Sequence, residues 1–209
     1  MKNIKCLIII IVLVLMSSVR SNAQYNNEVF LSYNLGLPLG DSKDYVSTLS
    51  YIGTEINLKR FVKPNVSLSI SFSWNVFYKE SSDMISLPNA DVSGKQNRYI
   101  NTVPMLAGAQ YYFGRNTNGI RPYVGANLGA LYLGRRLQIG VYDITENTWH
   151  FMLQPEAGLI FNLNDYSDAV IGLSYNYGTS STSSITGKSV SESWIGLKFG
   201  YGWKNGMFY

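Results

Sequence analysis

The chain has 209 residues, with 17 Lys+Arg against 13 Asp+Glu, and is 46% hydrophobic, 14% aromatic and 14% charged. That length suits one domain, and the composition is too apolar and too weakly charged for a disordered chain. One Cys and one His exclude a disulfide framework or a Cys-based zinc or iron–sulfur site, and leave little for imidazole metal ligation.

Residues 1–23 read as a secretory signal peptide. Lys2 and Lys5 form a basic start, Leu7 to Met16 is an unbroken apolar run, and Ser21-Asn22-Ala23 places small residues before a cleavage point at Ala23/Gln24. The run is too short to cross a hydrocarbon core of roughly 30 Å as a helix. Cys6 precedes the run without a lipobox, which argues against lipidation. Removing Lys2, Lys5 and Arg20 leaves 14 basic residues against 13 acidic ones, so residues 24–209 are nearly neutral. Nucleic acid is therefore not an expected partner.

From there the dominant signal is period-2 alternation, which predicts eight strands in chain order. Val29, Leu31, Tyr33, Leu35 and Leu37 oppose Ser32, Asn34 and Gly36; Ile52, Ile56 and Leu58 oppose Gly53, Glu55, Asn57 and Lys59. The cleanest segment is Val66 to Tyr78, where Leu68, Ile70, Phe72, Trp74 and Val76 alternate with Ser67, Ser69, Ser71, Ser73 and Asn75. Val103 to Phe113 and Val124 to Tyr132 follow, with Pro104 and Leu106 blurring the first. Trp149 to Phe161, Ala169 to Tyr177 and Ile195 to Trp203 complete the set. Short connections near Val62–Asn65, Gly114–Ile120 and Asn162–Ser167 carry turn residues. Longer polar ones are predicted near Gly40–Ser47, Lys79–Asn97, Arg136–Asn147 and Gly178–Ser191.

The polar side of each strand is Ser, Gly, Asn, Thr and Gln rather than the Lys and Glu of a water-facing sheet. Small polar residues fit the interior of an eight-stranded barrel, so the apolar side is predicted to face lipid. The class is all-β, an eight-stranded antiparallel up-and-down transmembrane β-barrel filling residues 24–209. Aromatic girdles are expected where strands cross the two interfaces. Trp74, Tyr78, Tyr132, Trp149, Phe151, Tyr175 and Tyr177 fall toward the long-loop rim; Phe61, Tyr111, Phe113, Phe161, Tyr201 and Trp203 fall toward the short-turn rim.

The stretches Val103-Pro104-Met105-Leu106-Ala107-Gly108-Ala109-Gln110-Tyr111-Tyr112-Phe113 and Arg121-Pro122-Tyr123-Val124-Gly125-Ala126-Asn127-Leu128-Gly129 resemble the outer-membrane protein β-barrel-domain family, which includes small opacity-type, porin-family and PorT-like barrels. The resemblance covers nearly all of residues 24–209. It implies export from the cytoplasm of a Gram-negative cell, insertion by the barrel-assembly machinery, and residence among outer-membrane lipid and lipopolysaccharide. That machinery reads an aromatic C-terminal strand, for which Leu197, Phe199, Tyr201 and Trp203 serve; Lys204 to Tyr209 depart from the pattern, so either the strand runs on or Phe208-Tyr209 is the signal.

Few residues carry chemistry. Glu55, Glu156 and Lys198 lie at similar depth on inward faces, with Lys59 and Arg121 nearer the periplasmic mouth and Gln110 and Gln154 among the inward amides. Buried charges must be paired, so a Glu55/Glu156/Lys198 network is expected to plug the lumen. His150 is followed two residues later by Met152, which breaks the His-x-Ser pattern of eight-stranded lipid A deacylases, and a structural, hydrogen-bonded His is expected instead. Gly125, Gly129, Gly196, Gly200 and Gly202 lie on inward strand faces and form no nucleotide loop. The chain therefore reads as a non-catalytic envelope barrel without cofactor or metal. Its expected roles are envelope structure, surface interaction through the loops, or limited small-solute passage; a lipid-modifying enzyme is the alternative.

Overall fold

In a computed structural model of the chain, residues 27–82, 85–87, 90–92, 94–114, 119–182 and 189–205 are described. The segment expected to be a signal peptide, with its expected cleavage point, and Phe208-Tyr209 lie outside these residues.

Eight long antiparallel strands close a ring: β1 (Asn27–Leu39), β2 (Ile52–Lys63), β3 (Val66–Ser81), β6 (Gln96–Tyr112), β7 (Ile120–Ile139), β8 (Tyr142–Asn164), β9 (Ser167–Thr182) and β10 (Ser189–Asn205). Sequential strands are neighbours, and β1 closes on β10 from Asn27↔Asn205 to Leu39↔Ser193. Closure removes sheet edges, the requirement for a sheet in lipid. A small hairpin, β4 (Ile85–Leu87) with β5 (Ala90–Val92), interrupts the β3–β6 connection, and a one-turn helix α1 (Gly40–Tyr45) follows β1.

Burial alternates as the residue pattern demands. Along β3, Leu68 is 51% exposed while Ser69 is 4% exposed, and Leu31, Ile56, Phe72, Leu128, Leu153 and Leu173 likewise face outward. An apolar exterior around a polar interior inverts the rule for a water-soluble sheet and matches a lipid-facing wall. From Trp149 to Phe161, β8 rises roughly 30 Å at ~3.3 Å per residue and a ~40° tilt, enough for the hydrocarbon layer.

Four expectations need correction. Arg136–Asn147 is not a loop: β7 and β8 run through it to a two-residue turn at Gly140-Val141, pairing from Ile120↔Phe161 to Ile139↔Tyr142. Gly140 has φ 58° and Val141 no positive φ, the turn geometry that lets strand twist continue through a hairpin. Lys79–Asn97 and Gly178–Ser191 likewise contain strand, since β3 reaches Ser81, β6 begins at Gln96 and β9 reaches Thr182. These ends escaped the alternation because their inward places do not keep the small polar filling: Gln96, Arg98, Arg135, Leu137, Glu146 and Glu192 are all buried, a mixture of charged, amide and apolar side chains. Phe61 does not join a girdle. It points inward and packs on Tyr112, with ring centroids 5.1 Å apart, as its parity with Lys59 requires. At the C-terminal end β10 runs on to Asn205, and Lys204 Nζ sits 2.7 Å from Asp168.

Candidate functional site: the filled lumen and its rim

The lumen is built in layers. At the end of the short turns Phe30, Phe61, Tyr112, Tyr123, Ile160 and Val170 form an apolar plug. Within it Lys59 stands over three rings, 4.5 Å from the centroid of Phe30, 5.0 Å from Tyr123 and 5.8 Å from Tyr112, and it donates to the Tyr112 hydroxyl at 3.4 Å. Arg121 stacks beside it, 4.8 Å from the Tyr112 ring, and donates to the Pro64 carbonyl at 2.8 Å. Ring faces compensate cations where water is excluded.

Above this plug lies the ionic layer. β10 carries Lys198, whose Nζ is 3.1 Å from Glu55 on β2 and 2.6 Å from Glu156 on β8. Gln110 donates to the other oxygen of Glu156 at 2.7 Å, and its own oxygen accepts from Ser67 at 3.0 Å and Tyr112 at 3.1 Å. A hydrogen-bonded chain then runs from β3 past β6 to β7 and on through β8, β9 and β10. Ser69 donates to Asn127 at 3.3 Å, Asn127 to Gln154 at 2.9 Å, Gln154 to Asn176 at 2.7 Å, and Asn176 to the Trp194 carbonyl at 3.3 Å. Glu55, Glu156, Lys198, Gln110, Gln154 and Lys59 are thus all inward and buried; the first five belong to this belt, while Lys59 sits apart in its aromatic cage.

The belt needs a small floor. A Cβ at Gly172 would lie 2.8 Å from the Tyr123 hydroxyl and 2.9 Å from Lys198 Cε, so the lysine stem occupies the space a side chain would take. The space left beside Lys198, Glu55, Asn34, Ser174, Asn176 and Trp194 is a cavity of about 10 Å³, close to the minimum for one water.

A second apolar layer seals the opposite end: Tyr45, Val46, Phe77, Ile100, Leu106, Leu131, Leu133, Met152 and Trp194. Tyr45 and Val46 come from the α1 segment, which folds over the mouth. Its Ser42 hydroxyl donates to Glu192 at 2.7 Å; Glu192 also pairs with buried Arg135. The Ser191 backbone N–H donates to Asp41 at 2.8 Å and the Ser191 hydroxyl at 3.0 Å, holding that carboxyl below its ordinary value. Reasoning from alternation missed Glu192, Arg135 and the Lys59 cage. Extending strand parity past the strand ends would have found the first two.

His150 is inward and buried. Its Nε2 lies 2.8 Å from the Thr148 hydroxyl and its Nδ1 2.5 Å from the Thr179 carbonyl. Both ring nitrogens are therefore occupied by strand partners rather than by a carboxylate. Among the described residues no cluster of His, Cys, Asp and Glu fits a metal ion.

The outer wall carries the aromatics. Trp74, Tyr111, Phe113, Trp149, Tyr175, Tyr177, Tyr201 and Trp203 are exposed, while Tyr132 and Phe161 are half-buried on the same face. Rings associate in pairs at both rims: Tyr132 with Trp149 at 5.0 Å, Tyr111 with Phe113 at 5.2 Å, and Tyr201 with Trp203 at 4.9 Å. Tyr78 stands higher, four residues beyond Trp74, and stacks on Tyr99 at 4.8 Å.

No protein-family model matches the chain, and no curated protein matches it in sequence. Solved structures do share its fold. Ail, the attachment invasion locus protein of Yersinia pestis, is 16% identical over 86% of this chain and 97% of its own, with a TM-score of 0.50. Neisserial surface protein A is 15% identical over 87% and 96%, at 0.49. The N-terminal barrel domain of Pseudomonas aeruginosa OprF is 16% identical over 85% and 98%, at 0.45. The fold is that of the small eight-stranded outer-membrane barrels.

Proposed function

We propose that the protein is a non-catalytic barrel of the outer membrane that works with a closed lumen, as a membrane-anchored platform whose extracellular end meets its partners. One observation carries the reading: the ionic belt is shut between two apolar layers, and the space beside it is about 10 Å³. A hydrated solute has no path through such a stack, because each layer would have to open and an unpaired buried charge costs several kcal/mol. Limited small-solute passage is thereby set aside in favour of envelope structure and surface interaction. Export through a cleaved leader and insertion by the barrel-assembly machinery belong to the same proposal. The direct test is single-channel recording of the purified barrel in planar bilayers, where no sustained unitary step is expected. Stable ohmic steps would refute the closed-lumen reading.

The lipid-modifying alternative rests on the 2.8 Å contact between Thr148 and His150. Both residues share the inward parity of β8, whereas Trp149 and Phe151 face the lipid. An acyl chain in the outer leaflet therefore meets the wrong face of the strand. No deacylation of purified lipid A is expected; activity that disappears in His150→Ala would reverse the assignment.

A further inference from the structure

Above the aromatic girdle the strands β3, β6, β7 and β8 continue as one sheet, and their outward residues form rows across it. The girdle row includes Val103, Tyr132 and Trp149, with Trp74 beside it on β3. The next row up is Val76, Asn101, Gly134 and Asn147; the next is Tyr78, Tyr99, Arg136 and Thr145; the highest is Glu80, Asn97, Gln138 and Asp143. Tyr99 and Arg136 stand four residues past the girdle along tilted strands, roughly 10 Å above the hydrocarbon edge. On this wall, at that height, the neighbours are lipid headgroups.

The chemistry of the rows selects among headgroup parts. The charges cancel locally: Arg136 makes a two-pronged contact with Asp143, Nε to its oxygens at 2.9 and 2.8 Å, and Lys95 pairs with Glu80 at 2.6 Å. A patch without net charge is not built for a bare phosphate. Instead it offers an aromatic surface, the Tyr78–Tyr99 pair, bordered by Asn97, Asn101, Gln138 and Asn147. Tyr78 is fixed by donating its hydroxyl to Asn97 at 3.2 Å. Amides and a carboxylate–guanidinium pair supply donors and acceptors side by side, the complement of a polyhydroxylated ring; aromatic faces take its C–H side. Gly134 leaves a dent between Asn101 and Asn147, since a Cβ there would lie 3.1 Å from the Asn147 side-chain oxygen.

We propose that this face, centred on Tyr99 and flanked by Asn101, Arg136 and Asn147, is a saccharide-binding platform for the sugar headgroups of outer-leaflet glycolipid. It rests on the outer-membrane placement proposed above but not on the closed lumen. The platform is continuous with the lipid-facing wall, so a glycolipid whose acyl chains lie against Trp149 and Tyr132 presents its sugars to these rows. A free extracellular glycan has no such tether.

The test uses the full barrel released from its native membrane in mild detergent, with retained lipid counted by native mass spectrometry. Wild-type protein is expected to retain lipopolysaccharide, and Tyr99→Ala with Asn147→Ala to retain about five-fold less. Tyr99→Phe keeps the ring and is expected to bind as wild type, while Tyr175→Ala, on the far wall, leaves retention unchanged. Heat-dependent gel mobility reports that each variant is folded. A second arm titrates acyl-free core oligosaccharide against nanodisc-embedded barrel, with inorganic phosphate and a soluble sulfated glycan in parallel. Binding of the core oligosaccharide that weakens with Tyr99→Ala supports the platform. Equal retention by wild type and the double variant overturns it, as does retention of phospholipid alone or preference for phosphate or the soluble glycan. Conductance is unaffected by any of these outcomes, so failure here and failure of the closed-lumen reading are distinguishable.

Discussion

Replacing Lys198 by methionine leaves Glu55 and Glu156 facing each other across the lumen with their shared cation gone. Lys198 Nζ is 3.1 Å from one carboxylate and 2.6 Å from the other, and all three groups are buried. At an effective dielectric of about 20, each contact is worth roughly 5 kcal/mol before desolvation is subtracted. Removing one partner of such a pair costs about 3–5 kcal/mol, because the remaining charge cannot reach water. Glu156 keeps its hydrogen bond from Gln110, whereas Glu55 has no comparable amide donor among the described contacts, which places the expected loss toward the middle of that range. The loss is read by reversible urea unfolding in lipid bilayers, followed by tryptophan fluorescence, at neutral pH. A triple variant, Glu55→Gln with Glu156→Gln and Lys198→Met, removes every charge while keeping volume, and should recover all but about 1–2 kcal/mol. A Lys198→Met cost below about 1 kcal/mol, or a triple variant no more stable than the single, would refute the claim that the pairing holds the lumen together.

Other consequences follow from neighbouring contacts. Gly172→Val drives a side chain into Tyr123 and the Lys198 stem and should cost about 1–3 kcal/mol in the same unfolding assay. Lys59→Met removes the cation that three rings enclose and should cost less than Lys198→Met, since rings are its nearest neighbours and Glu28, its partner across β1 and β2, acts on it only from beyond ion-pair distance. The Ser191 bonds hold Asp41 below its ordinary value of 3.8, so this contact is complete above that pH and lost as pH falls through the lowered value. Protection factors across residues 40–46, corrected for the intrinsic pH dependence of amide exchange, should therefore fall only below about pH 4, and in Asp41→Asn they should not change with pH there. The Arg136–Asp143 contact lowers the aspartate in the same sense, and its loss at acid pH should loosen the β7–β8 tip before the barrel unfolds.

The strand number and the wall were legible because one face carries lipid and the other a small polar filling. In β3 each inward place from Ser67 to Asn75 is Ser or Asn, and no other arrangement of those residues buries them together. Glu55, Glu156 and Lys198 could be set on inward faces by the same parity, and depth along the strand brought them to one level. What alternation could not show is where the filling turns apolar. Leu131 and Leu133 point inward into the second apolar layer, with Arg135 and Leu137 buried beyond them, so β7 looks irregular just where it leaves the membrane, and a long hairpin reads as a loop. Phe61 was misplaced because aromatic type outweighed parity. The Lys59 cage was hidden for another reason: Phe30, Tyr112 and Tyr123 come from three different strands, and only closure of the ring brings them around one ammonium group. The platform rows are invisible for the same cause, since Tyr78, Tyr99 and Arg136 meet through register across three strands.

The central claim is that the apolar face of every strand meets lipid while the polar face fills a closed interior. Residues 24–209 contain no Cys, so single substitutions report their own surroundings. With the barrel reconstituted in bilayers, Leu68→Cys should react with a membrane-dissolved thiol probe and resist a water-soluble one, and Ser69→Cys should stay silent to the membrane probe. Labelling of Ser69→Cys from the lipid together with labelling of Leu68→Cys from water would invert the wall and contradict the account.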